Sequence, residues 1–142
     1  MWSAEPTSLP KSLYTCDTLV YLRLSNKVFV DVSSPVCLPS LKRLHLVFVV
    51  YKDEDSVVRL LSSCPILEYL YVVHTSTNSC SIENKPRLGK AVIYYYRYPD
   101  DKFMKSLSLV RYLEIFLGNE TVAYCHGINF SELIECKICL II

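Results

Sequence analysis

The sequence predicts an α/β solenoid, with a parallel sheet along a concave face and short helices or turns on a convex one. Three observations predict it. A short pattern, apolar-x-x-apolar-x-apolar with leucine preferred, recurs along the chain. Its copies begin at Leu19, Leu41, Leu67, Leu88, Val110 and Leu133, giving start-to-start intervals of 22, 26, 21, 22 and 23 residues. Between copies the composition shifts to residues that suit short helices and turns.

Each copy has the same physical reading. In Leu19-x-x-Leu22-x-Leu24 the last two leucines are two residues apart, so on a strand they point to one side. Leu41-x-x-Leu44-x-Leu46, Leu67-x-x-Leu70-x-Val72 and Val110-x-x-Leu113-x-Ile115 repeat this strongly. Leu88-x-x-Ala91-x-Ile93 and Leu133-x-x-Cys136-x-Ile138 are weaker copies that fall where the period demands. One strand cannot bury its leucines alone, but stacked repeats share a core. A pattern of this kind with a period of roughly 20–29 residues is a leucine-rich repeat. The reading is one domain over 1–142, with about six repeats and strands near 19–24, 41–46, 67–72, 88–93, 110–115 and 133–138.

The connecting segments follow in order. Leu9, Leu13 and Cys16 share helical spacing ahead of the first strand. Pro35 and Pro39 favour a turn or extended link before the second. Asp53-Glu54-Asp55-Ser56 places acids at a helix start, where the positive dipole end favours them. Val57, Leu60, Leu61 and Cys64 then lie on one helical face, and Pro65 stops the helix. Thr75 to Pro86 is polar and aperiodic, hence a loop. Asp100 or Asp101 caps a further short helix carrying Phe103, Met104 and Leu107.

Composition narrows the function. Half the chain is apolar, enough for a sizeable core, and the formal net charge is only +1. That balance argues against a nucleic-acid or membrane-surface partner. Gly89, Gly118 and Gly127 are the three glycines, too scattered for a phosphate-cradling loop. Residues 1–10 contain no apolar run of the kind a secretory signal needs. Leu38 to Tyr51 carries Lys42, Arg43 and His45 and is too short and too polar for a membrane span. Seven cysteines, at 16, 37, 64, 80, 125, 136 and 139, point to reduced thiols and an intracellular protein of nucleus or cytoplasm. On that reading the glycosylation sequons at Asn119 and Asn129 are chance matches.

The strand residues between the leucines face away from the core. They are Tyr21, Arg23, Arg43, His45, Tyr69, Tyr71, Lys90, Val92, Tyr94, Tyr112, Glu114 and Phe116, with Glu135 and Lys137 from the sixth repeat. This wall is rich in tyrosine, with arginine at its N-terminal end, the residue types favoured at binding hot spots. The plainer account is that tyrosine suits exposed strand positions. Of these, Tyr21, Arg23, Arg43, His45, Tyr69, Tyr71, Tyr94, Tyr112, Glu114 and Phe116 form the candidate binding set.

No catalytic, metal or cofactor set is expected. Cys136-x-x-Cys139 with Cys125-His126 upstream invites a zinc reading. Residues three apart on a strand face opposite sides, however, and Cys136 falls at a core position. His45 and His74 lack a nearby nucleophile–acid pattern. Asp53-Glu54-Asp55 lacks the glycine and later glutamate of a calcium loop. Tyr94-Tyr95-Tyr96 beside Arg97 has no basic excess around it with which to hold nucleic-acid phosphates.

The words between the leucines add a resemblance. Leu9-Pro10-Lys11-Ser12-Leu13-Tyr14-Thr15-Cys16-Asp17-Thr18-Leu19-Val20, then Asp31-Val32-Ser33-Ser34-Pro35-Val36-Cys37-Leu38-Pro39-Ser40-Leu41-Lys42-Arg43-Leu44, resemble the repeat region of plant F-box/leucine-rich-repeat proteins of the FBD type. Tyr51-Lys52-Asp53-Glu54-Asp55-Ser56 and Leu60-Leu61-Ser62-Ser63-Cys64-Pro65-Ile66-Leu67-Glu68 look like that family's next unit. The likeness is close from Leu9 to Val73 and looser beyond. It implies a protein-recognition module resembling the substrate-binding repeats of a ubiquitin-ligase receptor, and not an enzyme. In that family the F-box docks a Skp-type adaptor, and no F-box or FBD segment is evident in these 142 residues. The expected partner is therefore a substrate protein, not the adaptor. Two alternatives stand beside this: a truncated, non-functional relic, and a small Cys/His metal-binding protein, which convergence of Cys125, His126, Cys136 and Cys139 would favour.

Overall fold

The computed structural model describes residues 7–32, 35–74, 87–95, 107–118 and 129–141. Six strands form one sheet: β2 (Tyr21–Ser25), β4 (Arg43–Val47), β6 (Tyr69–His74), β7 (Lys90–Tyr95), β8 (Tyr112–Gly118) and β9 (Glu135–Ile141). They lie side by side in chain order, and every pair is parallel. The solenoid fold class expected from the repeat is what the chain adopts.

The register aligns the repeats residue for residue. Leu22, Leu44, Leu70, Ala91, Leu113 and Cys136 stand opposite one another across the sheet. Leu24, Leu46, Val72, Ile93, Ile115 and Ile138 form the next core-facing row. Most of both rows is buried, and Leu44 and Leu70 are wholly so.

One backbone device repeats at the foot of every strand. The amides of Lys42 and Arg43 both donate to the Val20 carbonyl, at 2.9 and 3.1 Å. Glu68 and Tyr69 donate to Lys42, Gly89 and Lys90 to Glu68, Arg111 and Tyr112 to Gly89, and Ile134 and Glu135 to Arg111. Just before this point the chain makes a tight turn. The amide of Leu41 reaches the Leu38 carbonyl, Leu67 reaches Cys64, and Val110 reaches Leu107. The strands consequently begin two residues inside the predicted segments. Leu41, Leu67 and Val110, the first motif residues of their copies, each end a turn, which is how residues three apart can both face the core. On a strand they would face opposite sides.

The outer side holds more than helices and turns. Three short strands, β1 (Thr7–Ser8), β3 (Val28–Val30) and β5 (Val50–Tyr51), make a second parallel sheet that the sequence reading did not anticipate. The chain passes from the first sheet to the second through left-handed backbone at Asn26 (φ 55°), Lys27 (φ 67°) and Phe48 (φ 52°). Asparagine visits that region readily, whereas lysine and phenylalanine do so at a cost. Cross-repeat hydrogen bonds offset it: Asn26 N–H donates to Val47, Lys27 to Phe48 and Phe48 to Val73, at 3.0–3.1 Å.

The segment around Leu13 is a single 3-10 turn over Lys11–Thr15 with Tyr14 buried, where a helix was expected. Helix α1 (Glu54–Ser62) forms where the acid-rich start predicts it. Asp53 caps it, accepting from the Ser56 amide at 2.8 Å and the Ser56 hydroxyl at 2.9 Å. Its inner face buries Val57, Leu60 and Leu61, followed by Cys64. Arg59 ties the helix to the preceding repeat through the Val32 carbonyl, at 3.1 Å. The expected helix near Asp100 and the loop from Thr75 to Pro86 lie outside the described residues, although Leu107 is buried and opens its turn. Among the described residues no helix is long and apolar enough to cross a membrane.

One core expectation fails. Cys136 occupies a core row yet is exposed, and Ile138 in the next row is 53% exposed. Among the described residues β9 pairs with β8 alone, and none packs over Cys136 and Ile138 closely enough to bury them. Leu44→Ala should therefore lower unfolding free energy by about 2–5 kcal/mol, and Ile138→Ala by about 0.5 kcal/mol or less, in urea melts. Asp53→Ala should cost about 1 kcal/mol in the same measurement through loss of the helix cap.

Candidate functional site

Strand alternation decides which residues leave the core. The six strands send three rows of side chains to the face opposite the leucines. One row is Tyr21, Arg43, Tyr69, Lys90, Tyr112 and Glu135. The second is Arg23, His45, Tyr71, Val92, Glu114 and Lys137. The third is Ser25, Val47, Val73, Tyr94, Phe116 and Cys139. All ten candidate residues lie on this open face. Val47, Val73 and Cys139 belong to it as well. Cys139 was expected to point outward; Val47 and Val73 were not named, although Tyr94 and Phe116 of the same row were.

The rings touch in a continuous chain that crosses the rows diagonally. Tyr21 meets His45 edge to face at a centroid distance of 5.1 Å. His45 lies 5.2 Å from Tyr71, and Tyr71 lies 5.7 Å from Tyr94. Tyr94 and Phe116 stack at 3.9 Å and 5°. Tyr69 joins from the side, 5.3 Å from His45. Offset or edge-on ring pairs of this kind contribute about 0.5–1.5 kcal/mol each beyond the area they bury. Val73 and Val92, shorter than the rings beside them, are buried although they belong to this face.

Cations gather at the N-terminal end of the chain of rings. The Arg43 guanidinium sits over both Tyr21 and Tyr69, at 5.7 and 5.5 Å. The Lys90 ammonium lies 5.6 Å from the Tyr69 ring. Arg23 stands in the second row beside His45. At the other end, Glu135 pairs with Lys137 at 3.5 Å, both well exposed. A shallow pocket at that end is lined by Lys90, Tyr112, Leu113, Glu114, Glu135 and Lys137.

These surroundings shift several protons. Burial, then the charges of Arg23 and Arg43, hold the His45 imidazole below its ordinary value of 6.5. It is therefore neutral at pH 7, and its Nε2 is buried without a hydrogen-bond partner. Burial, then the neighbouring Tyr71, pushes the Tyr69 phenol up, against an opposing pull from Arg43. The Tyr94 phenol also rises, through burial, then Tyr71 and Glu114. Both phenols remain protonated, so they offer hydroxyl donors next to apolar ring area.

Nothing in this arrangement pairs a nucleophile with a base. Among the described residues, no group of three His, Cys, Asp or Glu side chains could hold a metal ion. Cys136 aligns with a core row and Cys139 with an open-face row, so they leave opposite sides of β9. Cys125 and His126 lie outside the described residues.

The family model for the leucine-rich repeat matches residues 40–65. A putative F-box/FBD/LRR-repeat protein of Arabidopsis thaliana is 47% identical over 97% of this chain and 38% of its own length. A second protein of that description is 38% identical over 95% of this chain and 43% of itself. A putative FBD-associated F-box protein of the same plant is 36% identical over 97% of this chain and 43% of itself. The chain thus spans about two fifths of the length of these relatives. No solved structure matches it.

The depressed His45 pKa carries a sign. Below pH 6.5 the unfolded chain takes up a proton that the folded chain resists, so stability falls as pH drops from 6.5. Thermal melts at pH 7.5 and about pH 5 should show a smaller acid-induced fall in Tm for His45→Gln than for wild type. An equal fall in both would remove His45 from this account.

Proposed function

The chain belongs with the leucine-rich repeats of plant F-box/FBD/LRR-repeat proteins, and on that premise we propose that its open sheet face selects a protein partner for a ubiquitin-ligase receptor. The single observation that carries this reading is the unbroken run of rings Tyr21, His45, Tyr71, Tyr94 and Phe116 across five strands. A face meant only for water has no need of five rings in contact. A binding face gains from them, because tyrosine brings large contact area, few rotatable bonds and a polar tip.

The role is binding and not catalysis. The partner is a substrate protein, while adaptor docking is the work of the F-box in the family this chain resembles. Nucleic acid does not fit, because the net charge is only +1 and the face also carries Glu114 and Glu135, so the chain lacks the basic excess that holding phosphates requires. Nucleus and cytoplasm are both compatible with this role.

Affinity purification from plant extract tests the reading. The tagged 142-residue chain should retain one or more proteins that Tyr71→Ala/Tyr94→Ala loses by about tenfold or more, as expected for central aromatic anchors. Both substitutions lie on the open face, so circular dichroism should show the fold intact. Equal retention by the variant would sink the proposal.

A further inference from the structure

The charges of the open face are divided. Arg23, Arg43 and Lys90 stand on β2, β4 and β7, whereas Glu114 and Glu135 stand on β8 and β9. Glu135 is already engaged by Lys137. Among the described residues, no carboxylate lies within ion-pair distance of Arg23, Arg43 or Lys90. Their close neighbours are rings instead: Arg43 over Tyr21 and Tyr69, Lys90 by Tyr69. A ring attracts a cation without neutralising it. From β2 to β7 the described open-face positions therefore carry three positive charges and no carboxylate, with tyrosine rings beside Arg43 and Lys90.

Resting on the recognition reading above, we propose that this β2-to-β7 part of the face takes an acidic, extended segment of the partner protein, with its carboxylates seated on Arg23, Arg43 and Lys90. The chemistry favours a carboxylate at each position. Charge-assisted hydrogen bonds from guanidinium or ammonium to carboxylate are about twice as strong as neutral ones. Arg43 and Lys90 share a row and sit two strands apart, a separation of about 10 Å. On an extended segment, side chains two residues apart face the same way and stand about 7 Å apart, so the long side chains of Arg43 and Lys90 can reach carboxylates at alternate positions. A basic segment would meet three like charges and be turned away.

The test uses the whole 142-residue chain and two fluorescein-labelled peptides, one alternating Glu and Tyr, the other Lys and Tyr. In anisotropy titrations at low salt the Glu peptide should bind about tenfold tighter or more, and lose that advantage as salt rises. Arg43→Glu/Lys90→Glu should weaken the Glu peptide about tenfold or more and strengthen the Lys peptide. Arg43→Gln/Lys90→Gln should weaken the Glu peptide without favouring the other. Lys11→Glu, on the exposed 3-10 turn away from this face, should change neither. Equal binding of the two peptides, no binding of either, or wild-type affinity in the charge variants overturns the inference. Such a result, alongside extract capture that still depends on Tyr71 and Tyr94, leaves the recognition reading standing and removes only the acidic partner.

Discussion

One carbonyl at the foot of each strand governs the rest of the molecule. Val20, Lys42, Glu68, Gly89 and Arg111 each accept two amides from the next repeat, and so set where the next strand begins. A parallel sheet has a side-chain period of two, so a slip of one residue would exchange its faces. It would put Tyr21, Arg43 and Tyr69 into the core and Leu22, Leu44 and Leu70 into water. Burial of the leucine rows and pairing of the backbone therefore enforce the same register. The rows of the open face inherit their alignment from that agreement.

The period of the leucines was enough to read the fold class, because a solenoid writes its core into the chain at regular intervals. Two things were harder to see. The turns before β4, β6 and β8 are marked by a buried residue three ahead of the motif: Leu38, Cys64 and Leu107. Cys64 also fits the apolar face of the helix that precedes it, so its second role was masked. The second sheet rests on strands of two or three residues, too short for alternation to register. Its corners use Asn26, Lys27 and Phe48 at positive φ, and neither lysine nor phenylalanine signals such a bend. Cys136 was misread because the pattern marks which side a residue faces and not whether anything packs against that side.

The candidate face was legible as a list of residues but not as a surface. Alternation alone places Tyr71 and Tyr94 on the same side of the sheet. That their rings meet depends on the register, which sets Tyr94 opposite Val73 and so diagonal to Tyr71. Long aromatic side chains can reach such diagonal neighbours. The stacking of Tyr94 on Phe116 is a directly cross-strand contact in the third row, one residue past the end of the motif. The charge division was visible in sequence order, since Arg23 and Arg43 precede Glu114 and Glu135. The placing of Arg43 between two tyrosines was not.

Support from below distinguishes the two ends of this face, and under the recognition reading proposed above it favours the N-terminal end. Binding energy concentrates where anchors are held in place before the partner arrives, since ordering a loose side chain subtracts from affinity. Beneath Arg43, His45, Tyr69 and Tyr71, the core residues Leu44, Leu46 and Leu70 are almost wholly buried. Beneath Glu135 and Lys137, Cys136 and Ile138 are exposed, and among the described residues β9 has a neighbour on one side only. The same side-chain types on β9 would therefore be held less firmly than on β4 or β6. His45 points the same way: a neutral ring in contact with Tyr21, Tyr69 and Tyr71 fastens three anchors at once. Its burial between two arginines is tolerable only because it carries no proton there. The pKa depression and the ring contacts thus share one origin, the packing of His45 among its neighbours.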